Sequence, residues 1–140
     1  TDELKRLADA APLLTEEARS AQVTEFLGGT PFEDNARKVS LAKLPKGAEA
    51  AKRRQLLLDT HDQLAAKLKE QLFTFEDMKE RFRLLGCPTS FAEIGLTPAD
   101  LRFTTYSAGM IRNRYTILDV LTGLGITDII CEKVTRRFPN

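Results

Sequence analysis

Ser90-Phe91-Ala92-Glu93-Ile94-Gly95-Leu96-Thr97-Pro98-Ala99-Asp100 places two helix starts within eleven residues. Ser90 and Glu93 have capping-box spacing, in which a hydroxyl and an acidic side chain satisfy backbone N–H groups that a helix start leaves open. Gly95 closes that unit. Thr97 then supplies a second N-cap, Pro98 a first-turn proline and Asp100 an acidic third position. A chain that starts a helix twice in so short a span is built from short helices joined by tight turns.

Working outward, the same signals recur. The helix opened at Thr97 is expected to bury Leu101, Thr105, Ala108 and Ile111. The next carries Ile117, Leu118, Val120, Leu121 and Leu124, with Gly125 as its C-cap. Thr127 starts the last, with Ile130, Val134 and Phe138 inward. Upstream, Thr74 and Asp77 open a helix whose inner face is Phe75, Met78, Phe82 and Leu85, ended by Gly86 and Pro88. One long helix is expected over 47–72, because Leu57, His61, Leu64, Leu68 and Leu72 recur at helical spacing. Before it, Pro31 suits the first turn of a helix running to Leu44, ahead of Pro45. Thr15 caps a helix with Ala18, Val23, Phe26 and Leu27 on its apolar side and Gly28-Gly29 at its end. Leu4, Leu7 and Ala11 mark an opening helix that Pro12 stops. Strand alternation and hairpin dipeptides are missing. The expected fold class is all-α, a multi-helix orthogonal bundle over residues 1–140.

Composition agrees with a globular chain: 42% of the 140 residues are hydrophobic and 29% charged. The formal net charge of +1 gives no global attraction to nucleic acid or acidic membranes. The charge is nevertheless uneven. Residues 1–34 carry eight acids and three bases, whereas residues 35–54 carry seven bases and one acid. No apolar run reaches the length of a membrane span, and no signal peptide is visible. Cys87 and Cys131 are too far apart for a closely spaced thiol metal site. Their spacing favours two reduced, mostly buried thiols in a cytoplasmic protein over a disulfide.

Few residues offer chemistry. His61 is the only histidine. It lies on the leucine row of the long helix, which favours packing or a local hydrogen bond over a metal or catalytic role. Nothing near Cys87 or Cys131 activates either thiol. Gly28-Gly29-Thr30 follows a helix, and Gly123-Leu124-Gly125 lies in and at the end of one, so neither is a phosphate cradle opening a helix. The basic segment 37–54, with Lys52-Arg53-Arg54, lacks interleaved aromatics and reads as a solvated helix face or subunit contact. A helix-turn-helix across Ser90–Arg114 would present Pro98 and Asp100 to DNA phosphates, which suits them poorly. Arg112 and Arg114 admit two readings. They grip a phosphate or carboxylate from two sides, or they tie helix ends by binding carbonyls or acids such as Asp119.

The order of these elements resembles the tail of the sn-glycerol-1-phosphate dehydrogenases, within the iron-containing alcohol dehydrogenase and dehydroquinate synthase-like superfamily. The resemblance runs from Met78–Leu85 through Gly86-Cys87-Pro88-Thr89, Glu93-Ile94-Gly95-Leu96, Leu101 and Ala108 to Arg112-Asn113-Arg114-Tyr115-Thr116-Ile117-Leu118. It is strongest over residues 75–125, and Phe32-Glu33-Asp34-Asn35 fits less specifically. It implies a two-domain protein: a nucleotide-binding α/β domain followed by a helical domain. A divalent metal lies between them, usually held by one Asp and two His. The implied reaction is reversible reduction of dihydroxyacetone phosphate to sn-glycerol 1-phosphate by NAD(P)H, in phospholipid metabolism. This chain departs from that pattern. It has one His and no dinucleotide-binding turn, so no catalytic, metal or cofactor residue carries over. Arg112, Arg114 and Tyr115 remain as a substrate-cleft or structural motif. The start at Thr1 fits the expectation of a C-terminal helical piece, inactive alone, whose partners are the rest of its parent chain and a second copy in a homo-oligomer. The rival expectation is a stand-alone helical module that binds protein or nucleic acid through 37–54.

Overall fold

The computed structural model of the chain describes residues 2–138, the side chain of Leu4 excepted, so that member of the expected opening stripe lies outside the described residues. Among the described residues there are eight α-helices and no strand: α1 (Asp2–Ala10), α2 (Glu16–Leu27), α3 (Glu33–Lys43), α4 (Ala48–Gln71), α5 (Phe75–Leu84), α6 (Leu101–Ile111), α7 (Ile117–Gly123) and α8 (Thr127–Arg137). Two 3-10 turns, Ala92–Ile94 and Pro98–Asp100, precede α6. The all-helical reading holds, and most punctuation residues act as expected; Pro31, expected in a first helical turn, instead lies in the turn before α3. Thr15 Oγ1 accepts from the Ala18 N–H, and Thr74 Oγ1 from the Asp77 N–H. Glu93 Oε2 accepts from the N–H groups of Thr89 and Ser90 and from the Ser90 hydroxyl. Asp100 Oδ2 accepts from the Thr97 N–H and hydroxyl.

Helices α2, α3 and α6 pack on one another around Val23, Phe26, Leu27, Ala36, Tyr106 and Met110. The rings of Phe26 and Tyr106 stack at 4.5 Å, and the Arg102 guanidinium lies over both. A second core joins α1, the first half of α4, α7 and the start of α8 through Ala8, Leu58, Leu124 and Ile126. Arg54 fastens this second core. Its Nη1 donates to the carbonyls of Ala8 and Ala11, and its Nη2 to those of Pro12 and Gly123. One guanidinium thereby caps the C-terminal ends of two helices, where a cation also meets the negative end of the helix dipole. Gly125 has a φ of 71°, and a Cβ there would sit 2.6 Å from that of Ala11, so no other residue fits this turn.

The buried faces differ from those the spacing predicts. In α2 the expected Ala18 is exposed and its neighbour Arg19 is buried. In α6 the buried residues are Tyr106, Gly109 and Met110, while Ala108 and Ile111 are exposed. In α7 the buried residue is Asp119, and Ile117 is exposed. In α8 Thr127 and Cys131 are buried, and the expected Ile130, Val134 and Phe138 only partly so. Cys87 is exposed, against the expectation of a mostly buried thiol; it and Cys131 are both free. The largest difference is in the long helix and its successor. Leu64, Leu68 and Leu72 are exposed, as are Phe75, Met78, Phe82 and Leu85, and no residue from 59 to 88 is buried. Periodicity specifies that an apolar face exists. It does not specify what covers it.

Two predictions follow from this division. Met110 has no exposed surface. Met110→Ala should therefore cost about 2–5 kcal/mol in urea unfolding, whereas Met78→Ala on α5 should stay within about 0.5 kcal/mol. Equal costs would mean that α5 is packed as tightly as α6. The second concerns pH. Backbone N–H donation from Thr89, with the Ser90 hydroxyl, holds Glu93 below the ordinary carboxylate range. The Thr97 N–H and hydroxyl do the same for Asp100. Groups with depressed folded-state values stabilise above their unfolded value of about 4 and lose that contribution as pH falls through the folded value. The melting temperature should fall on acidification below about pH 4, and less steeply in Glu93→Gln and Asp100→Asn. An unchanged slope in both would assign the acid sensitivity elsewhere.

Candidate functional site

The residues singled out by sequence lie on the connection from α6 to α7. Arg112 and Arg114 are exposed, and Tyr115 is 46% exposed with the Arg53 guanidinium 5.3 Å from its ring centre. Neither arginine holds Asp119. Lys43, at the end of α3, does so instead: its Nζ lies 2.7 Å from Asp119 Oδ1, and the two side chains are 8% and 6% exposed. The same ammonium donates to the Gly109 carbonyl at 2.7 Å and reaches that of Arg114 at 3.5 Å. Asp119 Oδ2 accepts from the Thr116 N–H at 2.8 Å and from the Thr116 hydroxyl. Lys43 thus joins the end of α6, the 112–116 connection and the capping box of α7.

Beside this pair lies a cavity of about 40 Å3 whose wall includes Arg19, Ser40, Lys43, Arg53, Arg54 and Asp119. Tyr115 also borders it; Arg112 and Arg114 do not. Burial pushes the Arg19 guanidinium below its ordinary range, opposed by the Asp119 charge and by Tyr106. Sequence reasoning missed Arg19 and Lys43, because nothing local separates a buried cation from a surface one. Asp119 had a signal: Thr116 and Asp119 stand at capping-box spacing.

His61 is partly exposed, with Nδ1 3.0 Å from Asp62 Oδ1, a local contact between sequence neighbours. Among the described residues no group of three or more His, Cys, Asp or Glu side chains could hold a metal ion. The residues present therefore do not fit the one-Asp, two-His metal set that the resemblance implies. No helix of the described residues is long and apolar enough to cross a membrane. Comparison with protein families, with curated proteins and with solved structures finds no match to this chain.

The Lys43–Asp119 pair yields a sharp expectation. Removing one member of a buried ion pair leaves the other uncompensated, at a cost of about 3–5 kcal/mol. Lys43→Met should destabilise by that amount. Lys43→Met combined with Asp119→Asn should recover part of it, because the amide is neutral and keeps an oxygen for the Thr116 N–H. Denaturant unfolding of the two variants checks this, and no recovery in the double variant would show that the two charges are not coupled.

Proposed function

We propose that this chain is the C-terminal helical part of a two-domain, metal-dependent NAD(P) oxidoreductase of the sn-glycerol-1-phosphate dehydrogenase kind, and that it is not catalytic alone. The observation that carries its role as a part is the unburied stretch from 59 to 88. Leu68, Leu72, Phe75, Met78, Phe82 and Leu85 are all exposed on α4, α5 and their flanks. Apolar surface of this extent marks a face that another part of a protein covers. The reaction class rests on the resemblance over residues 75–125. In this reading the chain packs as an orthogonal bundle behind a cleft. The exposed Arg112-Asn113-Arg114-Tyr115 connection borders the substrate, held in place by Lys43 from behind. The nucleotide, the divalent metal and its ligands belong to the remainder of a cytoplasmic parent, which also forms a homo-oligomer.

The rival reading, a stand-alone module binding protein or nucleic acid through 37–54, has less to draw on. Arg37 is engaged by Glu33, Thr24 and the Ser20 carbonyl, and Lys46 by Glu16. Lys43 is buried against Asp119, and Arg54 is bound by four carbonyls. Of that basic segment, few cations are left for phosphates.

Protein expressed from the whole reading frame that contains this chain should oxidise NADH or NADPH when given dihydroxyacetone phosphate and a divalent metal. Residues 1–140 alone should not. Absence of oxidation with any phosphorylated ketone rejects the reaction class, and turnover by residues 1–140 rejects the assignment as an inactive part.

A further inference from the structure

The cavity between α2, α3, α4 and α7 has an unbalanced wall. It carries four cations, Arg19, Lys43, Arg53 and Arg54, against one carboxylate, Asp119. Lys43 and Asp119 compensate each other at 2.7 Å, and the second oxygen of Asp119 is taken by Thr116. Arg19, only 3% exposed, makes a single side-chain hydrogen bond, to Gln22 Oε1 at 3.0 Å, and no ion pair among the described residues. A guanidinium does not shed its proton in a protein, and a buried charge without a counter-charge is strongly disfavoured. Donors are also left over. Ser40 Oγ, on a residue 2% exposed, and Arg54 Nε are buried with no hydrogen-bond partner. Excess positive charge, spare donors and a half-open pocket coincide at one place.

The shape narrows the ligand. About 40 Å3 has room for roughly three water molecules, which suits one tetrahedral oxyanion and no organic body. Leu13, Leu14, Leu44, Pro45 and Ala50 border both this cavity and an adjoining groove of about 360 Å3. An apolar body attached to the anion would lie in that groove, next to the Lys46–Glu16 ion pair.

We propose that the cavity binds a phosphate-sized oxyanion through Arg19, Arg53, Ser40 and the Nε of Arg54. The anion supplies counter-charge at contact, which the one carboxylate of the wall, in contact with Lys43, does not provide for the other three cations. It is either free inorganic phosphate or the phosphate head of a monoester whose apolar body occupies the groove. The site lies within this chain, and its occupancy does not depend on the dehydrogenase reading.

Isothermal titration of the 140-residue chain with inorganic phosphate and with butyl phosphate, at constant ionic strength set by chloride, tests the site directly. Thermal shift alone is a weaker readout, since phosphate stabilises folded proteins generically by exclusion from their surface. Saturable binding of one anion per chain is expected, weakened about tenfold or more by Arg19→Gln and by Arg53→Gln. Arg53 lines the cavity but is only half-buried, so its variant reports on binding even if Arg19→Gln does not fold. Tighter binding of butyl phosphate supports the site with a monoester as its ligand, and equal binding supports it with the inorganic ion. No saturable heat with either anion, or affinities untouched by Arg53→Gln, overturns the proposal.

Discussion

Lys43 and Asp119 form the contact on which the packed half of this molecule depends. The ammonium has three acceptors, the carbonyls of Gly109 and Arg114 and the carboxylate of Asp119. The carboxylate in turn caps α7 through Thr116. Burying two charges gains little net stability over a well-packed apolar pair, because desolvation offsets most of the attraction. What the pair does supply is geometry. An apolar contact would tolerate sliding of α3 along the α6–α7 connection. An ammonium held by the Gly109 carbonyl and the Asp119 carboxylate does so only by giving up a partner away from solvent. The Arg112–Thr116 connection, which carries no buried side chain of its own, therefore takes its position from α3.

Much of the fold was legible because it is written in short-range chemistry. Thr15, Thr74, Glu93 and Asp100 each act within four residues of themselves, and so do the prolines and glycines that end helices. Faces were less legible. Spacing in the helix from Leu101 points to Ala108 and Ile111, yet the helix buries Tyr106 and Met110, because the stack on Phe26 and the packing against α3 decide the rotation. Such a choice rests on partners 60 to 80 residues away. The candidate site suffered most. Arg19 and Lys43 read as ordinary surface cations in a helical chain, and Asp119 as a tether for Arg112 or Arg114. Charge type predicts exposure on average, so a buried cation is what an average-based reading overlooks. Tyr115 alone among the three sequence-chosen residues borders the cavity.

The same logic applies to the stretch from 59 to 88. Its helices have sound local signals, with Thr74 at the start of α5 and a left-handed Gly86 just beyond its end. Local signals alone leave a helix as short as α5 marginal in water, since nucleation is costly and most stabilisation comes from a packed face. Here that face is present and uncovered. Where α5 does touch the rest of the chain, it is through single ring contacts such as Phe75 with Phe138 at 4.6 Å. An uncovered face of this kind has two physical resolutions: it is covered in a larger assembly, or the helices that carry it fray.

Cations that composition treats alike have opposite fates around this cavity. Arg54 and Lys43 are absorbed by carbonyls and a carboxylate, and each joins elements far apart in the chain. Arg19 has one side-chain hydrogen bond, to Gln22, and feels Asp119 only from beyond ion-pair contact. Four cations could have been compensated by further acids, but α7 has none besides Asp119, and those of α4, Asp59 and Asp62 among them, fall on exposed positions. Because Asp119 is consumed by Lys43 and the α7 cap, the interaction that orders the fold is also the one that leaves the neighbouring cavity short of negative charge. Stability and an anion site thus share one carboxylate. Any rearrangement that freed Asp119 to face Arg19 would unfasten the α6–α7 connection, so the cavity's charge deficit is a consequence of how this bundle is held together.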